Sequence, residues 1–254
     1  MEGPKETITI TFGECGENHV GMQKLGKRAE TGFTIHELVE LQSVVEGAGF
    51  KTELHHLNRL LPADGKHDNA EPACLLVIRN GIAVFGLDAD AMFVKLKALD
   101  WDKKMWNKGR VTNKIARYNL CFGEFRQEPD YEKKMGRVVH FDDIPEFQVI
   151  RQCVSDAFGE KASHFIAEGN YYYDHKKCYI GFHGDTERKM VIAFRFGASM
   201  SLSYQWYYQT EAIGEKLSLV VNHGDMYVMS EKAVGWDWHT KKKATLRHAA
   251  GPGM

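Results

Sequence analysis

A chain of 254 residues that is 43% hydrophobic and 26% charged can bury a sizeable core and is not disordered by composition. Its formal net charge of −1 excludes a globally basic nucleic-acid binder, although not a local basic patch. Five scattered cysteines, Cys15, Cys74, Cys121, Cys153 and Cys178, form neither a disulfide framework nor a zinc spacing and suit a reducing compartment. No apolar run reaches the roughly 18 residues of a membrane span, and Met1–Thr7 lacks the basic-then-apolar layout of a signal peptide. The expectation is a soluble intracellular protein, of cytoplasm or nucleus, with no membrane partner.

Thr7 to Phe12 alternates Thr and Ile and reads as a strand. The glycine-rich, charged segment to Gly32 reads as a surface loop, although Glu14, Cys15 and His19 are types that bind metals. Thr34-Ile-His-Glu37 is a capping box opening a helix that carries Leu38, Leu41, Val44 and Val45 on one face. Lys51 to His56 reads as a strand, and Cys74 to Ile78 and Ile82 to Phe85 read as two more joined by a hairpin at Asn80-Gly81. Residues 1–85 are therefore expected to form a small α/β unit, folding alone or extending the main sheet, with a catalytic domain over 86–254. Asp88 caps a helix bearing Met92, Phe93, Leu96 and Leu99.

The stretch Trp101 to Arg117 interleaves cations with flat side chains, the pairing that a single-stranded or flipped-out nucleic acid requires. Trp101, Lys103, Lys104, Trp106 and Arg110 are its candidate substrate contacts, and a solvated hairpin with its tryptophans in the core is an equal alternative. Asp143-Ile-Pro-Glu146 reads as a second capping box, with proline in the first turn of a helix that carries Val149, Ile150, Val154 and Phe158. From Phe165 onward the pattern turns β-like, with short strands at Cys178–His183, Met190–Arg195, Ser199–Trp206, Leu217–Val221, Met226–Met229 and Thr245–His248. This is an α+β chain whose second half suggests a sandwich or barrel.

His183-Gly-Asp185 places an imidazole and a carboxylate on one face of a strand. With a second imidazole they make a two-histidine, one-carboxylate iron site that leaves positions open for a keto acid and oxygen. Zinc is the weaker alternative, since one carboxylate without a cysteine does not favour it. The motif is cheap, for His140-Phe-Asp142 and His223-Gly-Asp225 repeat it. The first lies just before a helix and the second feeds a strand, so both read as turn and cap residues. His183 and Asp185 have His239 downstream as a second imidazole, and after it Arg247, whose planar fork binds a carboxylate.

The order Asn170-x-Tyr172, His183-x-Asp185, Ser201-Leu-Ser203, Gly224-Asp225, His239 and Arg247 resembles the AlkB-like Fe(II)/2-oxoglutarate dioxygenases over roughly residues 84–254. The resemblance implies a double-stranded β-helix (jelly-roll) core, with His183, Asp185 and His239 as iron ligands and Arg247 on the distal carboxylate of 2-oxoglutarate. It also implies that Asn170 and Tyr172 hydrogen-bond that co-substrate. The implied activity is oxidation of a C–H bond by O2, as hydroxylation or oxidative demethylation, with an alkylated nucleic-acid base as one candidate substrate. Family members that act on bases commonly end in Arg-x-Asn-x-x-x-Arg, and here Ala249 and Gly253 stand at the last two positions. A protein side chain or small metabolite is therefore the neighbouring alternative, and a non-catalytic jelly-roll binding protein is the second kind of reading.

Overall fold

The computed structural model describes residues 4–253, so Met1–Gly3, part of the segment read for a signal peptide, lie outside the described residues. The chain begins with β1 (Thr7–Gly13) and a small hairpin of β2 (Cys15–Glu17) and β3 (Lys24–Gly26). Helix α1 (Ile35–Gly47) leads to β4 (Thr52–His56) and β5 (Cys74–Ile78), and α2 (Ala89–Lys97) to a second hairpin, β6 (Lys104–Asn107) and β7 (Arg110–Asn113). Next come β8 (Tyr118–Gly123), β9 (Val138–His140), α3 (Pro145–Phe158), β10 (Ile166–Tyr172), β11 (Ile180–His183), β12 (Val191–Gly197), β13 (Met200–Tyr208), β14 (Glu211–Val221) and β15 (Met226–Met229). A one-turn helix α4 (Glu231–Val234) precedes β16 (Thr245–Ala250).

Two sheets carry the fold. The larger has the order β4-β5-β15-β12-β1-β10-β8-β9 and is antiparallel except at the β8–β9 edge, and the smaller has the order β11-β16-β13-β14 and is antiparallel throughout. The molecule is thus α+β and mostly antiparallel. The alternation in β1 shows how the layers form. Ile8, Ile10 and Phe12 join the core under α1, α2 and α3, while Thr7, Thr9 and Thr11 take the opposite face. In β12 the same two-residue period sends Ile192, Phe194 and Phe196 to the helical side. Val191 and Ala193 join the second core, where Leu75, Val77, Leu202, Tyr204, Trp206 and Leu246 fill the space between the sheets. Among the described residues no helix is long and apolar enough to cross a membrane.

The Thr34 capping box forms in both directions, and Asp88 accepts the Ala91 amide as the N-cap of α2. Three expectations need correction. Asn80-Gly81 does not turn a hairpin: Asn80 is left-handed (φ 51°) and Gly81–Phe85 coils into a 3-10 helix, with Asp225 holding the Asn80 amide. Asp143 does not cap α3, because its carboxylate is drawn away by Arg126 (2.6 Å); the helix starts at Pro145 without a side-chain cap. Residues 1–85 are not a self-contained unit. β1, β4 and β5 are strands of the large sheet, with β1 at its centre between β10 and β12.

Candidate metal centre

At one end of the space between the sheets lies a cavity of about 490 Å3. The apolar filling gives way there to polar residues from both sheets: Thr9 and Thr11 of β1, Asn170 and Tyr172 of β10, Arg195 of β12, and His183 and His248 of the small sheet.

His183 ends β11. The register slips between Ile180, opposite Ala250, and His183, opposite His248, so three steps on β11 face two on β16. One extra residue in a strand re-aims the side chains that follow it, and here both Ile180 and His183 face the cavity. The His183 Nδ1 lies 2.8 Å from the Gly181 carbonyl. A ring nitrogen on a carbonyl carries the hydrogen, which leaves Nε2 with its lone pair turned inward.

Asp185 follows two residues beyond the strand, its amide donating to the Val234 carbonyl at 3.1 Å. Gly184 makes that path possible, since a Cβ there would sit 2.0 Å from the Gly235 carbonyl oxygen.

His248 comes from β16, directly across from His183, with ring centroids 4.4 Å apart. Asp185 Oδ1 lies 3.4 Å from His183 Nε2 and 3.6 Å from His248 Nε2, and one ligand atom from each residue falls within 4.8 Å of the others. Two imidazoles and a carboxylate arranged in this way could hold a metal ion.

The surroundings favour the protonation states a metal needs. Burial opposes charge on Asp185, but Arg188, 3.4 Å from Oδ2, and the two imidazoles outweigh it and hold the carboxyl well below the usual carboxylate range. Burial and the neighbouring His183 ring lower the His248 pKa, favouring a neutral imidazole. Arg188 is itself fully engaged, bonding Glu168 and Glu187 as well as Asp185. It orients the carboxylate from behind and is not available to a ligand.

The third member of the group is therefore His248, not His239. His239 is exposed at the cavity mouth, tilted against Trp238 with ring centroids 4.0 Å apart. Arg247 is displaced for a related reason. It neighbours His248 on a strand and so points to the other face, where its guanidinium lies 3.8 Å over the Tyr207 ring and 5.1 Å from that of Trp238. It does not reach the cavity.

Asn170 and Tyr172 do line the cavity. Asn170 Oδ1 accepts from Arg117 Nε (2.7 Å) and Asn119 Nδ2 (2.8 Å), and Asn119 Oδ1 in turn accepts from the buried Lys114 amine.

The candidate substrate contacts divide. Trp101 belongs to the core, 4% exposed, with its N–H on the Leu96 carbonyl and its ring against Gly169 and Tyr171. Lys103 lies over the Tyr118 ring, Trp106 is half-buried on β6, and Lys104 and Arg110 are exposed on the β6–β7 hairpin. A groove at the base of that hairpin shares His19, Arg117 and Asn119 with the cavity mouth.

The two other His-x-Asp copies are structural. The His140 ring accepts the Asp142 amide, and Asp225 gathers Arg79 and the Asn80 and Asn222 amides. Glu14 is a buried acceptor for the Lys189 and Met190 amides, and not part of a metal group with Cys15 and His19.

No known protein family matches the chain as a profile. The chain is 46% identical over 247 residues to an uncharacterized protein of Acanthamoeba polyphaga mimivirus, covering 97% of this chain and 96% of the viral protein. The two proteins belong to one family. The match runs through both halves of the chain, as expected when residues 1–85 and the rest share one sheet.

Proposed function

We propose that this protein is an Fe(II)- and 2-oxoglutarate-dependent dioxygenase that oxidises a substrate C–H bond. The observation that carries the reading is the convergence of His183, Asp185 and His248 at the wall of a cavity large enough for two small ligands. Two imidazoles and one carboxylate fit a divalent iron and leave coordination positions for a keto acid and oxygen. Bound there, iron would supply the oxygen activation that side chains cannot. The protein's own part is positional. Gly181 fixes the His183 tautomer and Arg188 holds Asp185 ionised. The strand order β11-β16-β13-β14, facing β10, β1, β12 and β15, supports a double-stranded β-helix in which β1 takes a central place in the larger sheet.

The substrate side of the reading is a single-stranded or flipped-out nucleic acid. It is supported by Lys104, Lys108 and Arg110, exposed on a hairpin whose basal groove meets the cavity mouth. Trp101 has no part in it.

The enzyme reading is tested by loading the protein with Fe(II) without oxygen, admitting air, and measuring succinate formed from 2-oxoglutarate. Turnover in the wild type, lost together with bound iron in His183→Ala and His248→Ala, is the expected result. Failure of the wild type to retain iron or form succinate would sink it. For the substrate, affinity for single-stranded DNA or RNA should fall as salt rises, with a shallower slope in the Lys104→Ala, Arg110→Ala double variant. Equal affinity at both salts would turn the reading to a protein side chain or a metabolite.

A further inference from the structure

Arg195 is the least expected residue in the cavity. It interrupts the apolar strand Val-Ile-Ala-Phe-Arg-Phe, is 0% exposed, and none of its three guanidinium nitrogens has a hydrogen-bond partner. Arginine does not shed its proton in a protein, so this is a full charge out of water with no carboxylate against it, an arrangement that is destabilising unless something compensates it.

The compensating group is not a side chain among the described residues. Of the carboxylates that line the cavity, Asp185, Glu168 and Glu187 are gathered around Arg188, and Glu17 receives the Gly21 amide. The surroundings of Arg195 are neutral donors instead. Thr9 is its cross-strand partner on β1, and its hydroxyl is also buried without a partner. Tyr227, on β15, stands beside the guanidinium with its phenol pushed up to about 12 by burial, against the pull of Arg195. The guanidinium and the Thr9 hydroxyl lack an acceptor, and with Tyr227 they share the cavity with His183, Asp185 and His248.

We propose that Arg195, with Thr9 and Tyr227 beside it, is the seat of a carboxylate belonging to an acid bound in this cavity. A planar carboxylate accepts two parallel hydrogen bonds from the guanidinium fork and further ones from hydroxyls, which satisfies these groups together. The assignment replaces Arg247, which lies on the wrong face of β16. The carboxylate can come from a keto acid whose other end meets the metal, or from the molecule being oxidised. Only the keto-acid source rests on the dioxygenase reading above.

The experiment uses the full chain loaded with Mn(II), titrated with 2-oxoglutarate and with 2-oxobutyrate, which has the same chelating end but no distal carboxylate. The wild type is expected to prefer 2-oxoglutarate by about 30-fold or more. Arg195→Gln should bring that preference close to one while keeping its Mn(II) and its affinity for 2-oxobutyrate, and Arg247→Gln should keep the preference. If neither keto acid binds but succinate raises the melting temperature of the wild type and not of Arg195→Gln, the carboxylate seat stands and the 2-oxoglutarate reading falls. If Arg195→Gln matches the wild type towards every acid, the proposal is overturned. A fold-independent arm uses the ligand-free protein. Arg195→Met should melt no lower than the wild type, because it removes an uncompensated charge, whereas a clear fall would reveal a structural partner and overturn the proposal.

Discussion

Arg247 and His248 are neighbours in sequence and lie on opposite faces of β16, and that single phase decides the chemistry of each. His248→Ala should lose bound metal, by an affinity fall of about 100-fold or more, whereas His239→Ala should retain it, both read as metal per chain after dialysis. The distinction was available in the sequence. In Thr-Leu-Arg-His-Ala-Ala the apolar Leu246 faces the core, and the residue in phase with it is His248, so the imidazole goes inward and the arginine outward. His183 and Asp185 were legible because their spacing is local. Arg195 carried a signal of its own, a charge inside an apolar strand, but its purpose needs the opposite sheet to be seen. Lys114 illustrates burial at the same scale. Its amine, held by Asn18 and Asn119, is pulled by burial from 10.5 down to about 7. Between those values the unfolded chain binds the extra proton, so stability rises with pH across the window, by at most about 1.4 kcal/mol per unit. Urea midpoints at pH 7 and pH 9 should show the rise in the wild type and a flatter response in Lys114→Met.

Elements differ in how far local sequence determines them. The Thr34 capping box forms as read, and Thr34→Ala should lower stability by about 1 kcal/mol in denaturant melts without altering metal binding. The apparent box at Asp143 fails because Arg126 from a distant loop competes for the carboxylate. Asn80-Gly81 fails as a hairpin because Asp225 holds the Asn80 amide and Gly81–Phe85 coils. Both misses are tertiary contacts overriding a local preference. The bulge in β11 is likewise invisible in sequence, yet it lets both Ile180 and His183 face the cavity. Beside it, Gly184→Ala should cost about 2 kcal/mol or more through the clash with Gly235. The same change should loosen the metal by separating His183 from Asp185, and metal retention after mild dialysis measures that effect.

On the scale of the whole molecule, sequence left open whether residues 1–85 fold alone or extend the main sheet, because strand pairing is not written in sequence proximity. A fragment covering residues 86–254 lacks β1, β4 and β5 and should show no cooperative thermal transition by circular dichroism, whereas the full chain should. The α+β class itself was legible, since the two-residue period marked most strands correctly, while their order across the sheet was not. The place of β1 also shapes how the protein reaches this fold. β1 is synthesised before both its neighbours, and its register joins Thr7 to Tyr172 on one side and to Gly197 on the other. Until those residues exist, Ile8, Ile10 and Phe12 have no sheet to join, and the nascent chain carries an unpaired, sticky strand through most of its synthesis. Closing the large sheet is therefore a late, long-range event, the kind of contact that slows folding, and the strand that waits for it is the one that later walls the cavity.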